Sequence, residues 1–197
     1  MNNDVFLNWL KKHVSDNHVL ADCRRSGQTI ELVDEESQEK HVFKVEGVPD
    51  STLVIRPHNN AVWSILQPNR KKGWNKSCDY VLIGERQGKL YTVFIELKET
   101  LKRGPRIDDQ RGQNQLRWTL PLLNYLLFVF NIDNCSSHKI EDVRIRYFQF
   151  GKRFHENFDK AGTRDDDENL FITEIHRGIE IKNSRSPVYS LNLLLDI

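Results

Sequence analysis

The chain has 197 residues, of which 38% are hydrophobic and 29% are charged, and its formal net charge is +1. This composition is that of a soluble globular protein, and no apolar run is long enough to span a bilayer. The near-zero net charge by itself neither indicates nor excludes a nucleic-acid partner.

The length fits a single domain over residues 1–197. Residues 1–16 lack the basic, apolar and small-residue order of a signal peptide, which predicts a cytoplasmic protein. The cysteines Cys23, Cys78 and Cys135 are odd in number and widely spaced, which argues against a disulfide framework and against a zinc knuckle. We expect reduced thiols.

The N-terminal half predicts a helix followed by short strands. Residues 4–14 carry apolar side chains at near-helical spacing, which is typical of an amphipathic helix packed on a core. Residues 28–33 and 41–45 are β-rich and flank an acidic stretch, as in a hairpin. Residues 51–55 and 61–66 predict two further strands, each ending before a proline.

A basic loop is predicted at residues 67–76, directly before Asp79. Basic side chains near an acid can bind phosphates, and a tryptophan among them can stack on a base. The alternative is a solvated loop whose tryptophan packs on the domain. The candidate nucleic-acid contacts in the loop are Arg70, Lys71, Lys72, Trp74 and Lys76.

A β-hairpin is predicted where two apolar runs, residues 80–83 and 91–97, flank a polar segment containing glycines. With Gln87 and Gly88 as the turn residues, Asp79 faces Glu96, and directly opposed side chains lie about 5 Å apart at Cβ. Because strand side chains alternate, Lys98 shares their face. The opposite face carries Tyr80, Leu82, Val93, Ile95 and Leu97.

A long helix and a further strand are predicted after the β-hairpin. Residues 113–131 form a helix whose buried face holds Leu116, Leu120, Leu123, Leu127 and Phe130, with Pro121 as a kink or a second start. Residues 143–150 predict a strand with one wetter face, hence a strand–helix–strand crossover.

Three segments complete the chain. Residues 152–169 predict a charged excursion, and residues 170–175 and 179–182 predict the second hairpin. Residues 188–197 predict an apolar strand or helix that is a core element or an interface.

The Glu-x-Lys triplet occurs twice, at residues 96–98 and 180–182, so the triplet alone carries no functional meaning. Glu180 is predicted to face Ile175, or Thr173 if the turn slides by one residue, and neither is an acid. Only the first triplet has an acid opposite it. The alternative for Asp79 and Glu96 is a surface carboxylate pair bridged by Lys98, which burial would make costly.

Two carboxylates that meet at one point are hard oxygen ligands for Mg²⁺ or Mn²⁺, and the Leu97 carbonyl can add a third protein ligand. Such a cation removes the repulsion between Asp79 and Glu96 and stabilises the charge that develops on a phosphoryl group. Lys98 can then position or deprotonate the attacking water. The predicted reaction class is phosphodiester hydrolysis.

Asp79, followed across the hairpin by Glu96-Leu97-Lys98, resembles the PD-(D/E)xK nuclease superfamily over residues 79–150. The resemblance implies an α/β (α+β) restriction-endonuclease-like fold, a mixed sheet flanked by helices in the order helix, three strands, helix, strand. This core covers about residues 61–150, with extra N-terminal and C-terminal strands outside it.

Carried over residue by residue, the resemblance implies that Asp79 and Glu96 bind the metal and that Lys98 is the catalytic lysine. It also implies an auxiliary glutamine on the following helix, Gln113 or Gln115, with Gln115 the better match. Cys78 stands where the superfamily usually has proline, and the first helix offers no acid beyond Asp4.

The function implied is a Mg²⁺- or Mn²⁺-dependent nuclease, a DNA endonuclease of a bacterial or mobile-element defence type, with Arg117 joining the basic loop as a phosphate contact. One alternative is a nucleic-acid-binding or assembly subunit that keeps the fold and acts through a partner, and another is an RNA-directed nuclease. Cutting both strands of a duplex needs two sites, so a homodimer or a partner protein is a further expectation.

Overall fold

The computed structural model describes residues 3–14, 24–26, 28–34, 41–57, 77–101, 111–154, 172–176, 179–184, 186 and 188–197. The strand predicted at residues 61–66, the basic loop at 67–76 and most of the excursion after residue 154 lie outside these ranges. None of the described helices is long and apolar enough to cross a membrane.

The strands of the described residues form two sheets, and the larger has six strands in the order β4-β5-β6-β7-β9-β8. Strands β6, β7 and β9 run parallel to one another, and the remaining neighbours are antiparallel. Its strands are β4 Leu53–Ile55, β5 Tyr80–Arg86, β6 Lys89–Leu101, β7 Arg144–Phe154, β8 Ile172–His176 and β9 Ile179–Ser184.

The smaller sheet has four strands in the order β1-β2-β3-β10, and β10 runs parallel to β3. These strands are β1 Arg24–Ser26, β2 Thr29–Asp34, β3 His41–Glu46 and β10 Val188–Ser190. The helices are α1 Asn3–His13, α2 Arg111–Asp133 and α3 Leu191–Leu195, with a short 3₁₀ turn at Ile140–Asp142. The protein is therefore a mixed α/β fold of two mixed sheets flanked by helices.

Most described side chains of the central strands β5, β6 and β7 of the six-stranded sheet are buried, because they alternate between two apolar clusters. One cluster joins the sheet to α1 and α2 through residues such as Phe6, Phe94 and Leu123. The other joins it to the four-stranded sheet and α3 through Leu32, Tyr80, Leu82, Val93, Ile95, Phe150 and Leu194. The chain thus forms three layers, with the larger sheet in the middle.

The central hairpin has the predicted register. Tyr80 pairs with Ile95 and Val81 pairs with Phe94. Gln87 and Gly88 have φ angles of 54° and 73°, as the two central residues of a tight type I′ turn require. The second hairpin also has its predicted register, since Ile175 pairs with Glu180.

The structure changes several expectations at the C-terminal side. Helix α2 continues through Pro121, which therefore does not begin a second helix. Strand β7 extends to Phe154, because residues beyond 150 still pair with the end of β6. The predicted wetter face is not seen in the middle of the strand, because residues 147–151 are all buried while residues 144–146 are half-buried. Residues 188–197 form β10 and then α3, whose leucines Leu191, Leu194 and Leu195 are core residues.

Tyr80 links the two sheets by a pair of hydrogen bonds. Its hydroxyl accepts from the Val33 backbone N at 3.1 Å and donates to the Val33 backbone O at 2.9 Å. The ring is buried in the cluster between the sheets. One side chain on β5, next to Asp79, therefore satisfies both main-chain groups of a residue on β2.

We expect Tyr80→Phe to lower the free energy of unfolding by about 1–3 kcal/mol, because it leaves a part-buried N–H and C=O of Val33 without the hydroxyl. Urea unfolding followed by circular dichroism measures this. Tyr125→Phe is the matched control, since Tyr125 is 52% exposed and its change should be close to zero. Equal stabilities for the two variants would contradict the role given to the hydroxyl.

Candidate active site

The open end of the central hairpin holds Asp79. The β5–β6 ladder ends at the pair of Tyr80 and Ile95, and Asp79 precedes that pair in a bend. Its Oδ2 atom accepts a hydrogen bond from the Leu97 backbone N at 2.7 Å. The carboxylate therefore lies against the Glu-x-Lys segment of β6, as the predicted register requires.

The Leu97 carbonyl lies on the same edge of β6 as the Leu97 amide, because the N–H and C=O of one strand residue point to the same neighbour. That edge faces Asp79, where β5 no longer pairs. The backbone oxygen that the sequence suggests as a metal ligand is thus directed toward the Asp79 side of the strand.

Glu96 and Lys98 project from β6 toward α2. Glu96 is fully buried, and Lys98 is 29% exposed. The Lys98 Nζ atom forms an ion pair with Glu96 Oε1 and also donates to Gln115 Oε1 at 3.5 Å. The amine is therefore held between a buried carboxylate and a helix amide, which supplies the pairing that a buried charge needs.

Helix α2 anchors the segment that leads into Asp79. The Gln115 Nε2 atom donates to the Ser77 carbonyl at 3.3 Å, and the Thr119 hydroxyl accepts from the Cys78 backbone N at 2.7 Å. The Thr119 hydroxyl in turn donates to the Gln115 carbonyl at 2.8 Å. Gln115, the better of the two glutamine matches, thus contacts both Lys98 and the segment that leads into Asp79.

Gly112 lies at the start of α2 directly over the site. A Cβ atom at this position would lie 2.2 Å from Gln149 Nε2, 2.9 Å from Lys98 Cε and 3.3 Å from Glu96 Cγ. The first two distances are shorter than real side-chain contacts allow. A side chain at this position would therefore require the Gln149 amide and the Lys98 stem to move.

Cys78, directly before Asp79, is a buried thiol. Burial raises the pKa of Cys78 well above its usual range, and the charges of Glu96 and Asp79 raise it further against the opposing effect of the Thr119 hydrogen bond. The thiol donates to the Tyr80 carbonyl at 3.1 Å. A protonated, buried thiol is a packing group and not a nucleophile.

The structure does not bring every candidate to this cluster. Asn3 donates to the Gly88 carbonyl at 3.1 Å, so the beginning of α1 and its Asp4 lie at the turn end of the hairpin, opposite Asp79. Arg117 is exposed and follows Gln115 by two positions. It therefore lies about 200° around the helix from Gln115, away from the side that faces the cluster. The candidates Arg70, Lys71, Lys72, Trp74 and Lys76 lie outside the described residues.

Sequence reasoning missed Gly112 and Thr119. Thr119 follows Gln115 by four positions on the face that later carries Leu123 and Leu127, so a polar residue in an apolar stripe was its signal. Gly112 gave no signal, because its closeness to Lys98 depends on how α2 sits on the sheet.

No protein-family model, curated protein or solved structure matches this chain.

The oxygen donors at this site fit a hard divalent cation. Within the described ranges, no three His, Cys, Asp or Glu side chains come together as a metal-binding group. Mg²⁺ does not need such a group, since it is commonly held by one or two carboxylates and completed by water and phosphate oxygens. The carboxylates of Asp79 and Glu96 and the carbonyl of Leu97 are a set of this kind.

We expect Thr119→Val to lower the free energy of unfolding by about 1–3 kcal/mol, because it leaves the buried Cys78 N–H without its acceptor. The matched control is Thr92→Val, since Thr92 is also fully buried but its hydroxyl makes no hydrogen bond within the described part of the chain. Chemical denaturation measures the free energy of unfolding of both variants. If Thr119→Val lowers the free energy of unfolding no more than Thr92→Val does, this anchoring role is contradicted.

Proposed function

We propose that the protein is a divalent-metal-dependent nuclease that hydrolyses phosphodiester bonds, with DNA as the substrate and internal cleavage as the mode. The observation that carries this proposal is the meeting of Asp79 with the Glu96-Leu97-Lys98 segment through the Leu97 hydrogen bond. The lysine is held at that point by Glu96 and Gln115. The Asp79–Leu97 hydrogen bond and the Glu96–Lys98 ion pair thus involve three consecutive residues at the open end of one hairpin.

In this proposal Asp79, Glu96 and the Leu97 carbonyl would hold Mg²⁺ or Mn²⁺. The bound cation supplies positive charge that stabilises the phosphoryl transition state and lowers the pKa of a bound water. Burial of Glu96 favours such binding, because a carboxylate removed from water interacts more strongly with a nearby positive charge.

Lys98 is the residue that acts on the attacking water. Its side chain is 29% exposed, so it is accessible to a substrate, and its stem lies beside Gly112. Gln115 accepts a hydrogen bond from the amine and restricts its orientation. Positioning of this type contributes to catalysis because the reacting groups are already aligned when the substrate binds.

The order of elements supports a restriction-endonuclease-like fold as part of this proposal. Along the chain, α1 is followed by β1, β2 and β3 of the smaller sheet and then by β4, β5, β6, α2 and β7. When the strands of the smaller sheet are set aside, this is the helix, three strands, helix, strand order of the superfamily. Fold likeness alone does not give function, so the proposed nuclease chemistry depends on the site.

The basic residues before Asp79 support a nucleic-acid substrate. Only Ser77 and Cys78 separate Lys76 from Asp79 in the sequence, so this stretch of positive charge is tied to the site. The proposal extends to a role in bacterial or mobile-element defence, which the resemblance suggests.

We expect the protein to nick supercoiled plasmid DNA with Mg²⁺ or Mn²⁺ and not with EDTA. Lys98→Ala should lower the rate by about 100-fold or more, because it removes a group that aligns the reaction. Lys182→Ala is the matched control from the second Glu-x-Lys triplet. Lys182 pairs with Asp196 at 2.5 Å on the other face of the sheet, so this variant should keep its activity.

Cleavage in EDTA, or equal cleavage by the Lys98→Ala variant and the wild-type protein, would overturn the nuclease proposal. DNA binding without cleavage, retained in Lys98→Ala, favours the binding or assembly subunit instead. A labelled RNA of the same sequence, run in parallel, decides between DNA and RNA as the substrate.

A further inference from the structure

Three adjacent parallel strands change from apolar to polar side chains at the same level of the sheet. Glu96 on β6 pairs in register with Gln149 on β7, which pairs with Asn183 on β9. On the same face, the residue two positions earlier in each strand is apolar. Those residues are Phe94, Tyr147 and Ile181, and all three belong to the cluster under α1 and α2.

The polar row is buried. Glu96 and Asn183 are fully buried, and Gln149 is 6% exposed. The first turn of α2 above it is also polar and buried, with Gln113, Asn114 and Gln115 side by side. Burial of amides is costly unless they are hydrogen-bonded, so packing alone does not favour amides over the apolar residues that precede them.

Gln149 is the member of the row that borders the lysine. The Cβ position of Gly112 lies 2.2 Å from Gln149 Nε2, 2.9 Å from Lys98 Cε and 3.3 Å from Glu96 Cγ. The three side chains therefore converge on one point under the helix backbone. The Lys98 stem passes this point before its amine reaches Glu96 and Gln115.

We propose that Gln149 is a positioning residue for Lys98, an inference that rests on the proposed nuclease function. Its amide fills the space below Gly112 and leaves the Lys98 stem one path toward Glu96 Oε1. A neutral amide can do this without adding a charge that competes with Lys98 or with a cation at Glu96. Gln149 acts through Lys98, so it is not itself catalytic.

The variant Gln149→Met tests this role, because methionine is similar in size and has no amide. We expect kcat for plasmid nicking with Mg²⁺ to fall about 10- to 100-fold, the usual effect of losing a supporting residue, with KM for DNA changed less than threefold. The control is Thr92→Val, a buried polar residue on the same face of β6, which should leave kcat unchanged.

A second readout does not depend on activity. In protein labelled with ¹³C-lysine, we expect the Lys98 Cε resonance to shift in Gln149→Met and to stay in place in Thr92→Val. An unshifted Lys98 resonance together with a wild-type kcat overturns the proposal. An unshifted resonance with a kcat loss that matches the loss of folded protein overturns it as well, since the role would then be structural.

The two proposals fail in different ways. If the wild-type protein cleaves neither DNA nor RNA with any divalent metal, the nuclease function fails. The resonance comparison still tests the role of Gln149, because it reports the surroundings of Lys98 without requiring cleavage. A shift in Gln149→Met but not in Thr92→Val supports that role, and no shift in Gln149→Met overturns it.

Discussion

The hydrogen bond from the Leu97 amide to Asp79 Oδ2 is the contact on which the site depends. At the end of the β5–β6 ladder, a backbone donor of β6 needs an acceptor, and a carboxylate supplies it. The same contact brings the first acid against the strand that carries the second acid and the lysine. One hydrogen bond thus both completes the sheet edge and brings Asp79 to the segment that carries Glu96 and Lys98. The strand period of two then directs Glu96 and Lys98 toward the helix layer.

One face of helix α2 first contacts the polar site and then packs on the apolar core. Gly112, Gln115 and Thr119 recur at helical spacing over the polar site, and Leu123 and Leu127 continue the same stripe over the apolar core. A single helix therefore switches from polar contacts to apolar packing within about two turns. The apolar half holds the helix on the sheet, and this fixes how closely the polar half approaches Lys98.

Local patterns were enough to predict the hairpin and its register. The tight turn at Gln87 and Gly88 and the alternation of side chains involve residues close in sequence, so Asp79, Glu96 and Lys98 could be placed on one face. Gln149 and Asn183 could not be placed this way. Their position beside Glu96 depends on which strands become neighbours after long crossovers, and on the parallel register that packing imposes. The pairing of β10 with β3, from opposite ends of the chain, is unpredictable for the same reason.

The tyrosine that joins the two sheets has a consequence for assembly. The described pairing of β1 with β2 covers only Thr29 to Glu31, so the outward N–H and C=O of Val33 lie beyond it. A strand from another molecule can add to a sheet only where main-chain N–H and C=O groups are available. The Tyr80 hydroxyl already satisfies both of these groups of Val33. A strand that added to β2 at this residue would have to displace both hydrogen bonds, which are made by the residue next to the proposed metal ligand Asp79.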